Sequence, residues 1–183
     1  LPPKEDVRAV KNFKTFFGTM LASYGPMDNS ILFYKHKVNR TAKSRNFDKQ
    51  ALVTYIISHE LVHALTKHEV QTDATEIGGP GEYHIKNGYE RSDGTIDENL
   101  KEHAKATYSL FEEGLTEKLG REVYLRYVAS HPDQFNSRAP EVMKIHTNSV
   151  KFVEGLIKLV AHHSGFEEDM VWHALVRDKL EAR

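Results

Sequence analysis

The sequence contains no cysteine among its 183 residues. This absence excludes disulfide bonds, thiolate nucleophiles and metal sites with cysteine ligands. A metal site in this chain must therefore be built from histidine and carboxylate side chains, which are the other common ligands of zinc. Both are available, because the chain has 11 histidines and 26 aspartates and glutamates.

The chain also lacks an excess of charge of one sign and a long hydrophobic run. Its 25 lysines and arginines nearly balance the 26 acidic residues, and the formal net charge is −1. The sequence therefore has no broad basic field to attract a nucleic-acid backbone. The uncharged run near the centre, residues 51–58, is far shorter than the roughly 20 residues that a membrane-spanning helix needs. We expect neither nucleic-acid binding nor a membrane span.

The length is typical of one compact domain, because domains contain about 150 residues. We expect residues 1–183 to form a single domain with two lobes around a cleft. The first lobe, about residues 1–77, includes the helix with the most informative motif. The second lobe, about residues 78–183, contains a hairpin, a glutamate-bearing helix and the C-terminal helices.

Hydrophobic periodicity and turn residues predict an α+β protein that is mostly helical. The predicted helices cover residues 5–24, 51–68, 95–128 with a break near Thr107, a segment after Pro140, and a segment from Ser164 to the C-terminus. Aromatic and β-branched residues predict a strand over residues 31–38, which as an edge strand could pair with an extended peptide. A hairpin is predicted over residues 83–91 around Asn87-Gly88, and Trp172 is predicted to be a core residue.

The most informative stretch is the HELVH sequence of residues 59–63, inside a predicted helix. Residues four apart share one helical face, so the imidazoles of His59 and His63 can bind a single ion. Glu60 then lies beside the ion, where its carboxylate can accept a proton from metal-bound water without being a ligand. A buried network of these three side chains without an ion is the alternative, and it costs a large desolvation energy. The motif therefore predicts a metal site.

A zinc site that performs chemistry has three protein ligands and one open position. The downstream segment of residues 111–117 reads FEEGLTE, with acidic residues four apart on one predicted helical face. Glu113 is the expected third ligand, and Glu117 is expected to accept a hydrogen bond from the outer nitrogen of a zinc-bound histidine. Glu112 or a more distant carboxylate is the alternative ligand. Gly114 costs about 1 kcal/mol relative to alanine in a helix, and we expect it to allow the two helices to approach closely at the metal.

The HELVH motif followed by EG-x-x-E resembles the gluzincin group of zinc metallopeptidases, in its small single-domain form. The resemblance covers about residues 56–119 and implies a zincin-like fold beside a small sheet or hairpin. It further implies that His59, His63 and Glu113 bind one Zn²⁺ and that Glu60 is the catalytic base. Glu117 matches a position that is often aspartate in the family.

Two other groups of metalloenzymes with the same motif fit less well. Metzincins have a third histidine and a glycine shortly after the motif, where this chain has Lys67, His68 and Glu69. Peptide deformylases use a cysteine ligand, which this chain lacks.

The sequence thus predicts a zinc-dependent metallopeptidase that hydrolyses peptide bonds through a zinc-activated water, with Glu60 as general base. Its partner would be a peptide or protein substrate. The alternative is a non-catalytic regulatory or interaction domain that is derived from a metallopeptidase and still binds zinc. A metal-free helical interaction protein is a third hypothesis. The intact Glu60 favours the enzyme, because a structural zinc site does not need this residue. Nothing in the sequence indicates a compartment or an oligomeric state.

Overall fold

The structure is a computed structural model that describes residues 21–25, 29–66, 68–72, 81–96, 102–107, 109–144 and 147–181. Over these residues the protein is mostly helical, with two small antiparallel sheets. This architecture is compatible with the predicted α+β class. None of the described helices is both long and apolar enough to cross a lipid bilayer.

The described residues form five α-helices and two short 3₁₀ segments. The α-helices are α1 (Lys35–Arg45), α2 (Lys49–Leu65), α3 (Ser109–Ser130), α4 (Thr147–Ser164) and α5 (Glu168–Glu181). The 3₁₀ segments, Pro132–Gln134 and Ala139–Lys144, follow α3.

Two antiparallel sheets complete the fold. The first pairs β1 (Ala22–Gly25) with β2 (Ser30–Phe33). The second has four strands in chain order, namely β3 (His68–Thr72), β4 (Gly81–Asn87), β5 (Glu90–Ile96) and β6 (Glu102–Thr107). Asn87 pairs with Glu90 at the turn between β4 and β5, and Gly88 there has a φ of +58°. The predicted Asn-Gly hairpin is therefore confirmed.

The HELVH motif lies within α2, as the periodicity predicts. Asp48 caps this helix, since its side chain accepts a hydrogen bond of 2.8 Å from the backbone N–H of Ala51. The helix ends at Leu65 instead of residue 68. The N–H of Thr66 still bonds to the carbonyls of the last turn, but its backbone is extended and leads into β3.

The predicted strand over residues 31–38 is correct only for residues 31–33. Strand β2 ends at Phe33, and α1 begins at Lys35. Val38 and Ala42, four residues apart, are buried on one face of α1 and join the core cluster that includes α2. This helical packing outweighs the β-propensity of the segment.

Two predicted helices are wrong in part. The helix over residues 5–24 is contradicted at Ala22–Gly25, which form β1, whereas residues 5–20 lie outside the described part. The helix over residues 95–128 begins only at Ser109, because β5 continues to Ile96 and Glu102–Thr107 pair with it as β6. Backbone pairing along an open sheet edge decides this region, and such pairing leaves little trace in a local sequence pattern.

Helix α3 lies between two hydrophobic clusters, which fix its position. One cluster contains residues of α1, α2, β1 and the second 3₁₀ segment, and Tyr124 is the α3 residue buried in it. The other joins α3 to α4 and α5 through Leu115, Val153 and Trp172. Trp172 is 6% exposed, which confirms it as a core residue. The side of α3 that faces α2 is thereby held in place.

Candidate metal centre

Helix α2 places the two motif histidines on one face, a single turn apart. Their rings meet edge to face, with centroids 5.0 Å apart. His63 is buried and His59 is half-buried. Two imidazoles thus point toward the neighbouring helix α3 from a rigid scaffold.

Helix α3 brings Glu113 to the Nε2 atoms of both histidines. Its Oε2 lies 3.4 Å from Nε2 of His59, and its Oε1 lies 3.3 Å from Nε2 of His63. One ligand atom from each of the three side chains lies within 4.8 Å of the other two. The Glu113 side chain keeps 32% of its surface exposed, so the group is open on one side. The three predicted ligands are therefore brought together around a point that solvent can reach.

The polar atoms at this point fit a cation. Nδ1 of His59 lies 2.9 Å from Oε2 of Glu117, and a neutral imidazole that donates there carries a lone pair on Nε2. That lone pair faces the carboxylate of Glu113, and the two repel each other unless a proton or a metal ion intervenes. Two imidazole nitrogens and one carboxylate are also the ligand set of many catalytic zinc sites. The residues present therefore fit Zn²⁺.

The charge state of Glu113 agrees with a ligand role. Burial raises its pKa, but the hydrogen bonds and positive charge that His59 and His63 supply in their protonated forms outweigh this effect and hold the pKa well below its usual range. The carboxylate is thus ionised at neutral pH, which metal binding requires.

Glu117 is held by three donors at once. Its carboxylate accepts hydrogen bonds from Nε–H of Arg121 at 2.9 Å and from the hydroxyl of Tyr55, and from Nδ1–H of His59 in the tautomer that donates there. Burial raises the pKa of Glu117 to about 7, and the charge and hydrogen bond of Arg121 oppose that shift. Glu117 is therefore placed where the sequence predicts it, at the outer nitrogen of a motif histidine.

Glu112, the alternative ligand, lies elsewhere. It is fully buried, forms an ion pair with Lys179 of α5, and accepts a hydrogen bond of 3.0 Å from the backbone N–H of Tyr89. Its Oε1 is 3.9 Å from Nδ1 of His63, on the opposite side of that ring from Glu113. Glu113 and not Glu112 therefore occupies the ligand side of the histidines.

Glu60 is buried beside this cluster, at 6% exposure. Burial raises the pKa of Glu60 to about 7, and the charge of Glu113 acts in the same direction. The charge of His59 and a hydrogen bond from the backbone of Tyr24 oppose this shift. The Glu60 carboxylate therefore lies close enough to His59 and Glu113 to sense their charges, and within hydrogen-bond reach of β1. A pKa near neutrality suits a group that accepts and releases a proton during a reaction.

The helices α2 and α3 approach each other closely at Gly120. A Cβ at this position would lie 3.1 Å from Cα of His59. Gly114 does not have this role, contrary to our expectation, because a Cβ there would lie 2.6 Å from the carbonyl oxygen of Ser149 in α4. The contact between α3 and α4, and not the metal centre, therefore requires glycine at position 114.

Sequence reasoning missed several residues around the centre. Arg121 follows Glu117 by four residues, and this spacing is a recognisable signal for an ion pair on a helix. Tyr55 precedes His59 by one helical turn but reads as an ordinary core residue. Lys179 gives no signal, because its partner Glu112 lies far away in the sequence.

The sequence matches no protein-family model, and comparisons with curated proteins and with solved structures find no match. Support for a metal centre therefore comes from the geometry and chemistry of the chain's own residues.

Proposed function

We propose that this protein is a zinc-dependent metallopeptidase of the gluzincin type, with a zincin-like fold. The observation that carries the proposal is the convergence of His59, His63 and Glu113, whose ligand atoms lie within 4.8 Å of one another. These three residues would hold one Zn²⁺. When bound, Zn²⁺ supplies Lewis-acid chemistry, which makes water more acidic and polarises a peptide carbonyl.

Glu60 is the proton carrier of the proposed reaction. It lies next to His59 in the chain and remains outside the set of ligands. Its carboxylate accepts the proton of the attacking water and delivers it to the nitrogen of the departing amine. Burial of Glu60 supports this role, because it brings the pKa of the carboxylate to about 7.

Glu117 orients His59 for metal binding. The carboxylate accepts the Nδ1 proton of His59 and thereby keeps Nε2 free of a proton and directed toward Glu113. Arg121 and Tyr55 restrain the carboxylate itself. Changes to such outer partners typically weaken metal binding or activity by roughly 10–100-fold.

The proposed substrate is a peptide or a protein, and it would reach the centre from the open side of Glu113. This glutamate is the most exposed of the three residues, with 32% of its side-chain surface exposed against 14% for His59 and 8% for His63. A peptide carbonyl would therefore approach these three residues from the side on which Glu113 is exposed.

A peptide library with the Glu60→Gln variant tests the proposal. We expect metal analysis to find one zinc per chain in both the unmodified protein and the variant, because Glu60 is not a ligand. Cleavage of the library is expected only with the unmodified protein. Glu154→Gln, an exposed position in α4, is the matched control and should cleave as the unmodified protein does.

Each other outcome has a definite meaning. Equal cleavage by Glu60→Gln would refute the mechanism. Bound zinc without cleavage in the unmodified protein would favour the non-catalytic zinc-binding domain. Absence of zinc after incubation with an excess of the ion would refute both and leave a metal-free protein.

A further inference from the structure

A buried ion pair joins the C-terminal helix α5 to the helix that carries Glu113. Nζ of Lys179 contacts Oε1 of Glu112, and both side chains are fully enclosed. Burial lowers the pKa of Lys179 to about 7, and the charge of Glu90 opposes this shift. Because of the desolvation cost, such a pair is commonly no more stabilising than well-packed apolar side chains. Folding stability alone therefore does not account for it.

The turn between β4 and β5 holds the same carboxylate. The backbone N–H of Tyr89 donates to Oε2 of Glu112, and a Cβ at Gly88 would lie 2.6 Å from that oxygen. With a φ of +58°, this position strongly favours glycine. The Tyr89 hydroxyl also donates to Asp178 at 2.5 Å, next to Lys179 in α5. Glu112 is thus fixed by its own helix, by the hairpin turn and by α5.

The fixed carboxylate lies behind the ring of His63. Oε1 of Glu112 is 3.9 Å from Nδ1 of His63. This nitrogen is buried and has no hydrogen-bond partner among the residues that the structure describes. At the other motif histidine, the equivalent nitrogen meets Glu117 at 2.9 Å. Each imidazole therefore has a buried carboxylate next to its outer nitrogen.

We propose that Glu112 and Lys179 act together as positioning residues for the metal centre: Lys179 holds the Glu112 carboxylate in place to accept the Nδ1 proton of His63. The inference depends on the proposed zinc site and extends it to α5. The histidine then presents an unprotonated Nε2 beside Glu113. Without Lys179, the Glu112 carboxylate loses the cation that holds it in place, and His63 loses its fixed acceptor.

A double variant separates positioning from folding. Glu112→Leu combined with Lys179→Met removes both charges together, so the free energy of unfolding should fall only by the loss of the hydrogen bond from the Tyr89 backbone. We expect its zinc dissociation constant to rise by roughly 10–100-fold. Lys179→Met alone should also raise this constant, but the same change should add nothing when Glu112 is already leucine. Arg138→Met with Glu141→Leu, an exposed ion pair, is the matched control.

A spectroscopic measurement distinguishes this role from a general structural one. In the zinc-loaded protein, the NMR resonance of the Nδ1 proton of His63 should shift in Lys179→Met, while that of His59 should stay unchanged because Glu117 still holds it. Zinc binding by the double variant as tight as in the unmodified protein would overturn the inference, as would an unchanged His63 resonance. If the unmodified protein binds no zinc, the proposed function itself fails, and that result is seen before any variant is made.

Discussion

Replacing Glu117 by glutamine tests the metal centre through a single atom. The change preserves the shape of the side chain and converts one carboxylate oxygen into an NH₂ group. Oε2 of Glu117 faces Nδ1 of His59 at 2.9 Å, and Oε1 accepts from Arg121 at 2.9 Å and from Tyr55. The neighbours therefore use both oxygens of the carboxylate, and an amide has only one.

Either orientation of the new amide breaks an interaction. If its nitrogen faces His59, Nδ1 must become an acceptor, and the proton moves to Nε2, the atom that faces Glu113. If its nitrogen faces the other way, it opposes the guanidinium of Arg121, which has no acceptor. The first orientation blocks a ligand atom and the second releases the restraint on Glu117. We expect the zinc dissociation constant to rise roughly 10–100-fold, which corresponds to about 1.4–2.7 kcal/mol of binding free energy.

Competition for zinc against a chromophoric chelator at neutral pH measures this effect. Glu122→Gln is the matched control on the same helix, because Glu122 forms only a partly exposed pair with Lys118 at 3.5 Å. The control should bind zinc like the unmodified protein. An unchanged dissociation constant for Glu117→Gln would show that this carboxylate does not set the tautomer of His59.

Two further predictions concern stability. Gly114→Ala places a methyl group 2.6 Å from the Ser149 carbonyl oxygen, and we expect it to destabilise the protein by about 1–3 kcal/mol. The control is Gly155→Ala in α4, where a Cβ would meet nothing within 4 Å. This control should raise the free energy of unfolding by up to about 1 kcal/mol. If urea unfolding gives the same change in the free energy of unfolding for both variants, the close contact of α3 with α4 at Gly114 is contradicted. Burial raises the pKa of Tyr124 to about 12, so its ionisation in the unfolded chain should cost stability as pH rises from about 10 to about 12, by about 1.4 kcal/mol per unit. Phenylalanine has no hydroxyl to ionise, so in Tyr124→Phe the free energy of unfolding should fall less steeply over this pH range. The same dependence of that free energy on pH in the variant and the unmodified protein would refute the prediction.

Several structural predictions depended only on neighbouring residues, and these are confirmed. The HELVH motif lies in a helix because apolar residues recur along α2 at helical spacing. The Asn87-Gly88 turn forms because glycine readily adopts the positive φ that this hairpin needs. Both features are decided within a few residues, so tertiary contacts had little to change.

The incorrect predictions have the opposite cause, because contacts with distant residues decide those features. Residues 35–45 are helical because Val38 and Ala42 pack in the core, and residues 102–107 form a strand because β5 offers a sheet edge. Gly114 was expected to face α2, but helix periodicity alone does not say which neighbour each face meets. In each case the partner lies outside the local window, so the sequence pattern did not contain the deciding contact.

For the candidate site, local sequence alone predicts that His59 and His63 share one helical face, because the helical repeat brings residues four apart to the same side. It also left two adjacent glutamates as candidates for the third ligand. Only the packing of α3 between two hydrophobic clusters turns Glu113 toward the Nε2 atoms and Glu112 toward Lys179. Adjacent helical residues point about 100° apart, and the rotation of the whole helix against its neighbours decides which of them faces the histidines.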